Sequence, residues 1–293
     1  MKIAITTPTG NIGSKLVRKL LTDSSHQLIL LARNADKLKD AEQKGAAIAT
    51  GNLEDRDYVV RATRDVDALF WVHPPKYDAE DFIEYYRKLA EIGAEAIRTN
   101  SIKNVVFVSS MGAHLGSGTG VVDGLHIAEK ILRKAADNLT ILRPTLFMEN
   151  FLMSAETIKS AGSIFLPVSG DTSLPMIATQ DIAETAYRAL LNPADGTRIW
   201  SLHGPRDYSF DEAATIIGKA IGREVQHTEI PPEAARDALQ DMGMSDDAAR
   251  RMVELYSAMN SGHMTDEKPR SEQTTTPTKL EDFAQRVFPQ IVK

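Results

Sequence analysis

The sequence predicts an α/β protein, in which a doubly wound parallel sheet is followed by a smaller, mostly helical domain. Short apolar segments alternate with segments of helical period from Ile3 to Leu202, as in a parallel sheet whose strands are joined by crossover helices. A glycine-containing turn joins the first strand to the first helix, and the chain is mostly helical from Pro205 onwards. With 293 residues, it can form one large and one small domain.

The opening stretch, residues 2–19, is predicted to form a strand, a phosphate-binding turn and a helix. Gly10 and Gly13 lie between an apolar run and an amphipathic segment, where backbone N–H groups of the first helical turn can bind a pyrophosphate. A G-x-x-G-x-x-G turn would also have glycine at position 7, but this chain has Thr7, and Pro8 lacks an amide donor. Tight contact with a pyrophosphate is therefore in question.

The end of the second predicted strand, residues 28–32, indicates which dinucleotide would bind. A site for NAD would carry Asp or Glu here to hold the ribose hydroxyls, whereas this chain has Arg33 and Asn34, with Lys37 one helical turn later. Two cations suit a 2′-phosphate, and the arginine side chain offers forked donors for it. The pattern favours NADP(H) over the alternative interpretation, a solvated basic turn.

The other predicted elements follow the same alternation. The remaining strands of the large sheet are 46–49, 68–72, 104–108, 139–142 and 199–202, and the helices between them are 35–44, 54–62, 79–99, 126–135 and 181–191. The later elements are helices 210–221, 232–242, 246–260 and 280–287, with a strand at 224–230. We expect a Rossmann-type nucleotide-binding domain of residues 1–148 and 176–204, and a smaller substrate-side domain of residues 149–175 and 205–293.

Ligands of such sheets bind beyond the carboxyl ends of the strands, so the residues there are the candidates for the site. The predicted cofactor-binding residues are Thr7, Thr9, Gly10, Asn11, Ile12, Gly13, Arg33, Asn34, Lys37, Asn52, Leu53, His73, Pro74, Ser109, Pro144 and Thr145. The loop 112–124 is rich in glycine, but no Gly-Lys-Ser/Thr follows it. This excludes a P-loop and favours a mobile loop on the substrate side.

Composition narrows the function further. The chain has no cysteine, which removes disulfides and thiolate catalysis and fits a reducing compartment. The net charge of −6, without a cluster of basic residues, argues against nucleic acid as a partner. The start of the chain lacks the apolar core of a signal peptide, so we expect a cytoplasmic protein without a membrane partner. The 7 histidines show no metal-binding spacing, so no metal is expected, and a homodimer is left open.

Five segments of the chain together resemble the NmrA-like family of atypical short-chain dehydrogenases/reductases. They are TGNIG (9–13), RN (33–34), VSSMG (108–112), LRPTLFMENF (142–151) and TQDIA (179–183). The resemblance runs through almost the whole chain. It implies a Rossmann domain, a small C-terminal substrate domain and a preference for NADP(H). Members of the family include NADPH-dependent quinone reductases, a triphenylmethane dye reductase and non-catalytic redox sensors.

The residues that correspond to the usual catalytic group of short-chain dehydrogenases differ in one position. These enzymes use a Ser and a Tyr-x-x-x-Lys pair, and the matching residues here are Ser109 or Ser110, then His126 and Lys130. An imidazole can donate a proton near neutral pH, so Ser110, His126 and Lys130 are the catalytic candidates. The alternative interpretation is that this histidine is structural or exposed, and reduction of a carbonyl by the usual tyrosine route is not supported.

The predicted function is an NADPH-dependent reductase that transfers hydride to a quinone-like or conjugated aromatic acceptor. This reaction requires fewer catalytic side chains than carbonyl reduction by the tyrosine route, because the cofactor carries the chemistry. The predicted substrate residues, which could equally be ordinary core, are Met111, Phe147, Met148 and Phe151. A non-catalytic NADP(H)-sensing regulator is the alternative function. A hydrolase triad of Ser109, His126 and Asp123 is imaginable but lacks the G-x-S-x-G elbow.

Overall fold

The computed structural model describes residues 1–23 and 25–292, and its centre is a seven-stranded parallel sheet. The strands are β1 Lys2–Thr6, β2 Gln27–Ala32, β3 Ala47–Thr50, β4 Ala68–Trp71, β5 Asn104–Val108, β6 Leu139–Pro144 and β10 Thr197–Leu202. Their order across the sheet is β10-β6-β5-β4-β1-β2-β3. The doubly wound α/β fold predicted from the sequence is confirmed.

Helices cover both faces of this sheet because each carries an apolar stripe that must be buried. One face is covered by α1 Gly13–Thr22, α2 Lys39–Gln43 and α7 Thr179–Leu191. The other is covered by α3 Arg56–Ala62, α4 Phe82–Thr99 and α5 Asp123–Arg133. No helix within residues 1–23 and 25–292 has the length and apolar content needed to cross a bilayer.

Several helix boundaries differ from the sequence prediction for local reasons. The predicted helix 35–44 is a 3₁₀ turn followed by α2, since the Asn34 side chain accepts a hydrogen bond from the Asp36 N–H and forms a turn before the helix. Helix α4 begins at Phe82 rather than residue 79 because Asp81 caps it. Helix α5 begins three residues early and includes Gly124, where a Cβ atom would lie 2.9 Å from Cβ of Tyr86.

The remaining chain forms a second core with strands of its own. These elements are β7 Leu146–Phe147, α6 Ala155–Ala161, β8 Ser163–Leu166, β9 Ser173–Ile177, β11 Asp207–Ser209, α8 Phe210–Ile221, β12 Gln226–Glu229, α9 Pro232–Asp241, α10 Asp246–Asn260 and α11 Leu280–Ile291. Strand β9 pairs with β7 and β11, and β8 pairs with β12. The sequence predicted α8, α9, α10, α11 and β12. It did not predict β7, β8, β9, β11 or α6.

Candidate functional site

Parallel pairing brings the predicted site residues to one edge of the large sheet. The register places Thr6 beside Leu31 and Val108 beside Leu142, so neighbouring strands end at similar heights. The turns after β1, β2, β3, β4, β5 and β6 therefore lie along the same edge, which is where an open α/β sheet binds its ligands.

The turn between β1 and α1 brings two backbone segments very close together. A Cβ atom on Gly13 would lie 2.1 Å from the carbonyl oxygen of Thr7, so only glycine fits there. Thr7 itself has φ of +49°, a left-handed conformation that is unusual for a β-branched residue. Among the described residues, the N–H groups of Asn11, Ile12 and Gly13 have no acceptor, and they lie at the N-terminus of α1. This is the arrangement of an anion-binding turn.

The basic residues after β2 are available to a ligand. Arg33 and Lys37 are exposed, and neither side chain forms an ion pair within the described chain. Asn34 is occupied differently, because its side-chain oxygen accepts the Asp36 N–H at 2.7 Å and shapes the turn. At the end of β3, Asn52 accepts the Glu54 N–H in the same manner, at 3.1 Å.

A buried ion pair joins the ends of β5 and β6 to α5. Arg143 donates from Nε and Nη2 to the two carboxylate oxygens of Glu129 at 2.8 and 2.7 Å, and also pairs with Glu267. The Ser109 hydroxyl donates to Glu129 at 2.7 Å. Burial alone would raise the pKa of Glu129, but the hydrogen bonds from Arg143 and Ser109 outweigh it and hold that pKa below 4.5.

The sequence analysis missed the role of Glu129 and Arg143. A signal was present, since Glu129 lies on the buried stripe of α5 with Ala128 and Leu132, and a carboxylate on an apolar stripe requires a partner. The network also separates the two serines. Ser109 is buried and bonded, while Ser110 is partly exposed and its hydroxyl has no partner among the described residues.

His126 is anchored in a defined tautomer. Its Nδ1 lies 2.7 Å from the carbonyl oxygen of Ala113, and because a carbonyl can only accept, Nδ1 carries a proton. In the neutral ring, Nε2 therefore holds the lone pair. Lys130, one turn later on α5, is exposed and forms no ion pair within the described chain.

Two of the predicted cofactor-binding residues carry buried polar atoms without a hydrogen-bond partner in the described chain. The Thr145 hydroxyl, just after β6, is one of them. The other is His73, which is 5% exposed and packs edge-on against Trp71, Tyr86 and Phe107. Burial lowers the pKa of His73 to about 3, so its ring is neutral. The backbone of the other predicted contacts here, Pro74 and Pro144, accepts hydrogen bonds from Tyr85 and Met111.

Three of the four predicted substrate residues belong to the hydrophobic core. Met111, Met148 and Phe151 are at most 3% exposed and pack in the second core. The structure thus favours the core alternative for them, because their surface is already covered by neighbouring apolar side chains. Phe147 differs, since it is partly exposed and lies in the short strand β7.

A second polar network, also missed from the sequence, fixes α1 against α7. Glu149 accepts hydrogen bonds from the Thr179 N–H at 3.0 Å and from the Lys15 amine at 3.2 Å. Beside it, a groove of about 690 Å³ runs along the outer side of α1 towards α11. Of the predicted cofactor residues, this groove includes Asn11 alone, so it is distinct from the edge where the strands end.

Comparison with known proteins places the chain in a family. The NmrA-like family model matches residues 1–284. An NAD(P)H azoreductase from Xenophilus azovorans is 30% identical over 249 residues, which cover 85% of this chain and 84% of the relative. An uncharacterized oxidoreductase from Bacillus subtilis, YesF, is 29% identical and covers 96% of this chain and 93% of its own length.

Solved structures show the same fold. An NADPH-dependent quinone oxidoreductase from Escherichia coli, complexed with NADPH, is 21% identical with a TM-score of 0.81, over 98% of this chain and 99% of that one. A triphenylmethane reductase from Citrobacter sp. is 19% identical with a TM-score of 0.79 and the same coverage. Sequence, topology and family model agree, and the chain belongs to the NmrA-like family.

Proposed function

We propose that this protein is an NADPH-dependent reductase that transfers hydride to a flat, quinone-like or conjugated aromatic acceptor. The observation that carries the proposal is Arg33. It is exposed and without an ion-pair partner within the described chain, at the end of β2, where an NAD site would present a carboxylate. Its forked guanidinium suits the 2′-phosphate that distinguishes NADPH from NADH.

Other residues of the turn fit the same cofactor. The N–H groups of Asn11, Ile12 and Gly13 have no acceptor in the described chain and suit a pyrophosphate. Because Gly13 has no side chain, the turn can keep its close contact with Thr7 while these N–H groups face the ligand. At the far end of the same edge, the Thr145 hydroxyl is buried and has no partner in the described chain, so a ligand group could satisfy it. Lys37 adds a second cation beside Arg33.

When bound, NADPH would supply the hydride, and the protein would orient the reactants and exclude water. The relatives' names support an acceptor of the aromatic class, since they include an azoreductase, a quinone oxidoreductase and a triphenylmethane reductase. Phe147 is partly exposed after β6 and packs on the core beneath it, so its ring is the aromatic group we propose for the acceptor. The proposed acceptor cleft lies between the domain of residues 1–148 and 176–204 and the domain of residues 149–175 and 205–293.

Ser110 and His126 are the proposed polar groups of the cleft. Ser110 can donate its hydroxyl proton to the acceptor, because that hydroxyl has no partner in the described chain. The Ser109 hydroxyl is not available, since it already donates to Glu129. The anchored Nδ1–H of His126 directs Nε2 away from Ala113, so the ring donates a proton from Nε2 only when it is protonated. Lys130 is exposed and contributes a positive charge on the same face of α5.

The test is the oxidation of NADPH, followed by its absorbance, with a panel of quinones, an azo dye, a triphenylmethane dye and an enone. We expect turnover with at least one acceptor and a lower KM for NADPH than for NADH. Calorimetry with NADPH in the absence of acceptor is the companion measurement. Binding without turnover across the panel would instead select the alternative, an NADP(H)-sensing regulator, and absence of binding would overturn both.

A further inference from the structure

The groove of about 690 Å³ beside α1 takes no part in the proposed reaction. Its volume lies within the range of small-molecule sites, about 300–1,000 Å³. One wall is formed by α1 and α7, which pack on the large sheet, and the other by α11 together with Glu149 and Leu152 after β7. We call it the α1–α11 groove. A ligand lying in it would contact both hydrophobic cores of the protein.

An apolar strip runs along the α1–α11 groove. It is formed by Leu152, Ala183, Phe283 and Val287. Ala183 and Phe283 are buried, whereas Leu152 and Val287 are partly exposed and pack against the second core. Because part of this strip still faces solvent, covering it with the apolar body of a ligand would be favourable. The strip therefore suits a ring or a short hydrocarbon chain.

Four basic and two acidic side chains also line the α1–α11 groove, although the chain as a whole has a net charge of −6. Two of the basic side chains are neutralised within the groove. The Lys15 amine donates to the Glu149 carboxylate at 3.2 Å, and the Lys19 amine pairs with Glu184 at 2.6 Å. Both carboxylates of the groove are thus already occupied.

The other two basic residues are Arg18 on α1 and Arg286 on α11, and they come from opposite walls. Both side chains are exposed, and neither forms an ion pair within residues 1–23 and 25–292. No carboxylate of the groove is left to neutralise them. A guanidinium offers forked donors that match a carboxylate, a sulfonate or a phosphate. The groove therefore joins an apolar strip to uncompensated positive charge.

A second groove, of about 470 Å³ between α8 and α11, has the opposite charge balance. Three acidic and two basic side chains line it. Its arginine, Arg206, already pairs with Glu212 at 3.2 Å and with Glu281 at 3.3 Å. Helix α11 borders both grooves, so free arginines are not a general property of its surface. The unpaired charge is specific to the α1–α11 groove.

We propose that the α1–α11 groove is a second binding site, for an amphipathic anion: a ring or short chain that carries a carboxylate, sulfonate or phosphate group. The anionic group would pair with Arg18 and Arg286, and the apolar body would cover Leu152 and Val287. The site is separate from the proposed nucleotide site, since Asn11 alone of the predicted cofactor residues lines it. The inference goes beyond the proposed reductase function and does not depend on it.

The experiment is a fluorescence titration with 8-anilino-1-naphthalenesulfonate, an aromatic sulfonate that becomes fluorescent on apolar surfaces. It is titrated into wild type, Arg18→Gln and Arg286→Gln, with NADP⁺ present at a saturating concentration to fill the nucleotide site. We expect saturable binding to wild type and binding about 2- to 12-fold weaker in each variant, as for the loss of one hydrogen bond. N-phenyl-1-naphthylamine has the same rings without the sulfonate, so it should not distinguish the three proteins.

Arg33→Gln is the matched control, because Arg33 is also exposed and unpaired in the described chain but lies after β2, outside the groove. Its affinity for the sulfonate should equal that of wild type. Wild-type affinity in both Arg18→Gln and Arg286→Gln, no saturable binding, or displacement of the sulfonate by NADP⁺ would overturn the inference. Failure of NADP⁺ to bind would instead count against the proposed function, and the comparison of the arginine variants would still decide the groove.

Discussion

The two ends of the candidate site are built in different ways. At the nucleotide end, the turn between β1 and α1 and the residues after β2 follow one another closely in the sequence, and backbone groups supply most of the donors. At the acceptor end, the pair of Glu129 with Arg143 is assembled from separate segments by tertiary packing. The first is a local motif and the second depends on the whole fold, so mutations should affect them differently.

The largest expected effect is at the acceptor end, in Glu129→Gln. Removing the charge leaves the buried Arg143 with only the exposed carboxylate of Glu267, which costs up to about 3–5 kcal/mol in the free energy of unfolding at pH 7. Chemical denaturation of both proteins measures it. The control is Glu184→Gln, which removes surface pairs with Lys19 and Arg188 and should cost less than about 1 kcal/mol. Equal losses would mean that the buried pair contributes no more than a surface one.

The same pair predicts a pH dependence. The folded-state pKa of Glu129 is lowered, so the stability it contributes is fully present above its ordinary value of 4.5 and is lost as the pH falls through the folded-state value. The difference in unfolding free energy between wild type and Glu129→Gln should therefore shrink below about pH 4.5. Denaturation series at pH 7 and pH 4 test this, and a gap that stays constant or widens in acid would contradict the assigned direction.

At the nucleotide end, Gly13→Ala should have the next largest effect. The new Cβ atom would lie 2.1 Å from the Thr7 carbonyl oxygen, so the turn must open, at a cost of about 1–3 kcal/mol in stability and with loss of NADPH binding. Thermal unfolding and calorimetry measure the two. Gly10→Ala, in the same turn, is the matched control because its Cβ atom would be 3.3 Å from the same oxygen. If the turn depends on the close contact of Gly13 with Thr7, Gly13→Ala must lose clearly more stability and NADPH affinity than Gly10→Ala.

The contrast between the two ends explains what the sequence could predict. The β1–α1 turn and Arg33 were identified because their residues are neighbours in the chain and their pattern repeats in many nucleotide-binding sheets. Glu129 acquires its role only when α5 packs on the sheet and meets Ser109 and Arg143, which follow or end other strands. The strands β7, β8 and β9 were missed for a similar reason, since each has two to five residues and pairs with a segment far away.

Arg33→Asp tests whether the nucleotide end of the site selects NADPH over NADH. The substitution places a carboxylate where a 2′-phosphate would bind, so the Kd for NADPH should rise about tenfold or more, while the Kd for NADH changes much less. Fluorescence titration with both nucleotides gives the comparison. Lys103→Asp makes the same change of charge before β5, at the opposite edge of the sheet, and should leave both affinities near wild type. Equal losses for NADPH and NADH in Arg33→Asp would remove the 2′-phosphate assignment.

The smallest expected effect concerns Thr7, where the local motif departs from glycine. Its φ of +49° costs a β-branched residue roughly 1–3 kcal/mol, more than the added chain entropy of glycine, so Thr7→Gly should stabilise the protein by about 1 kcal/mol. Denaturation curves would show it, against Thr50→Gly in strand β3, where the same replacement should destabilise. If Thr7→Gly is instead as destabilising as Thr50→Gly, the Thr7 side chain must stabilise the turn, and the nucleotide end would depend on tertiary contacts as the acceptor end does.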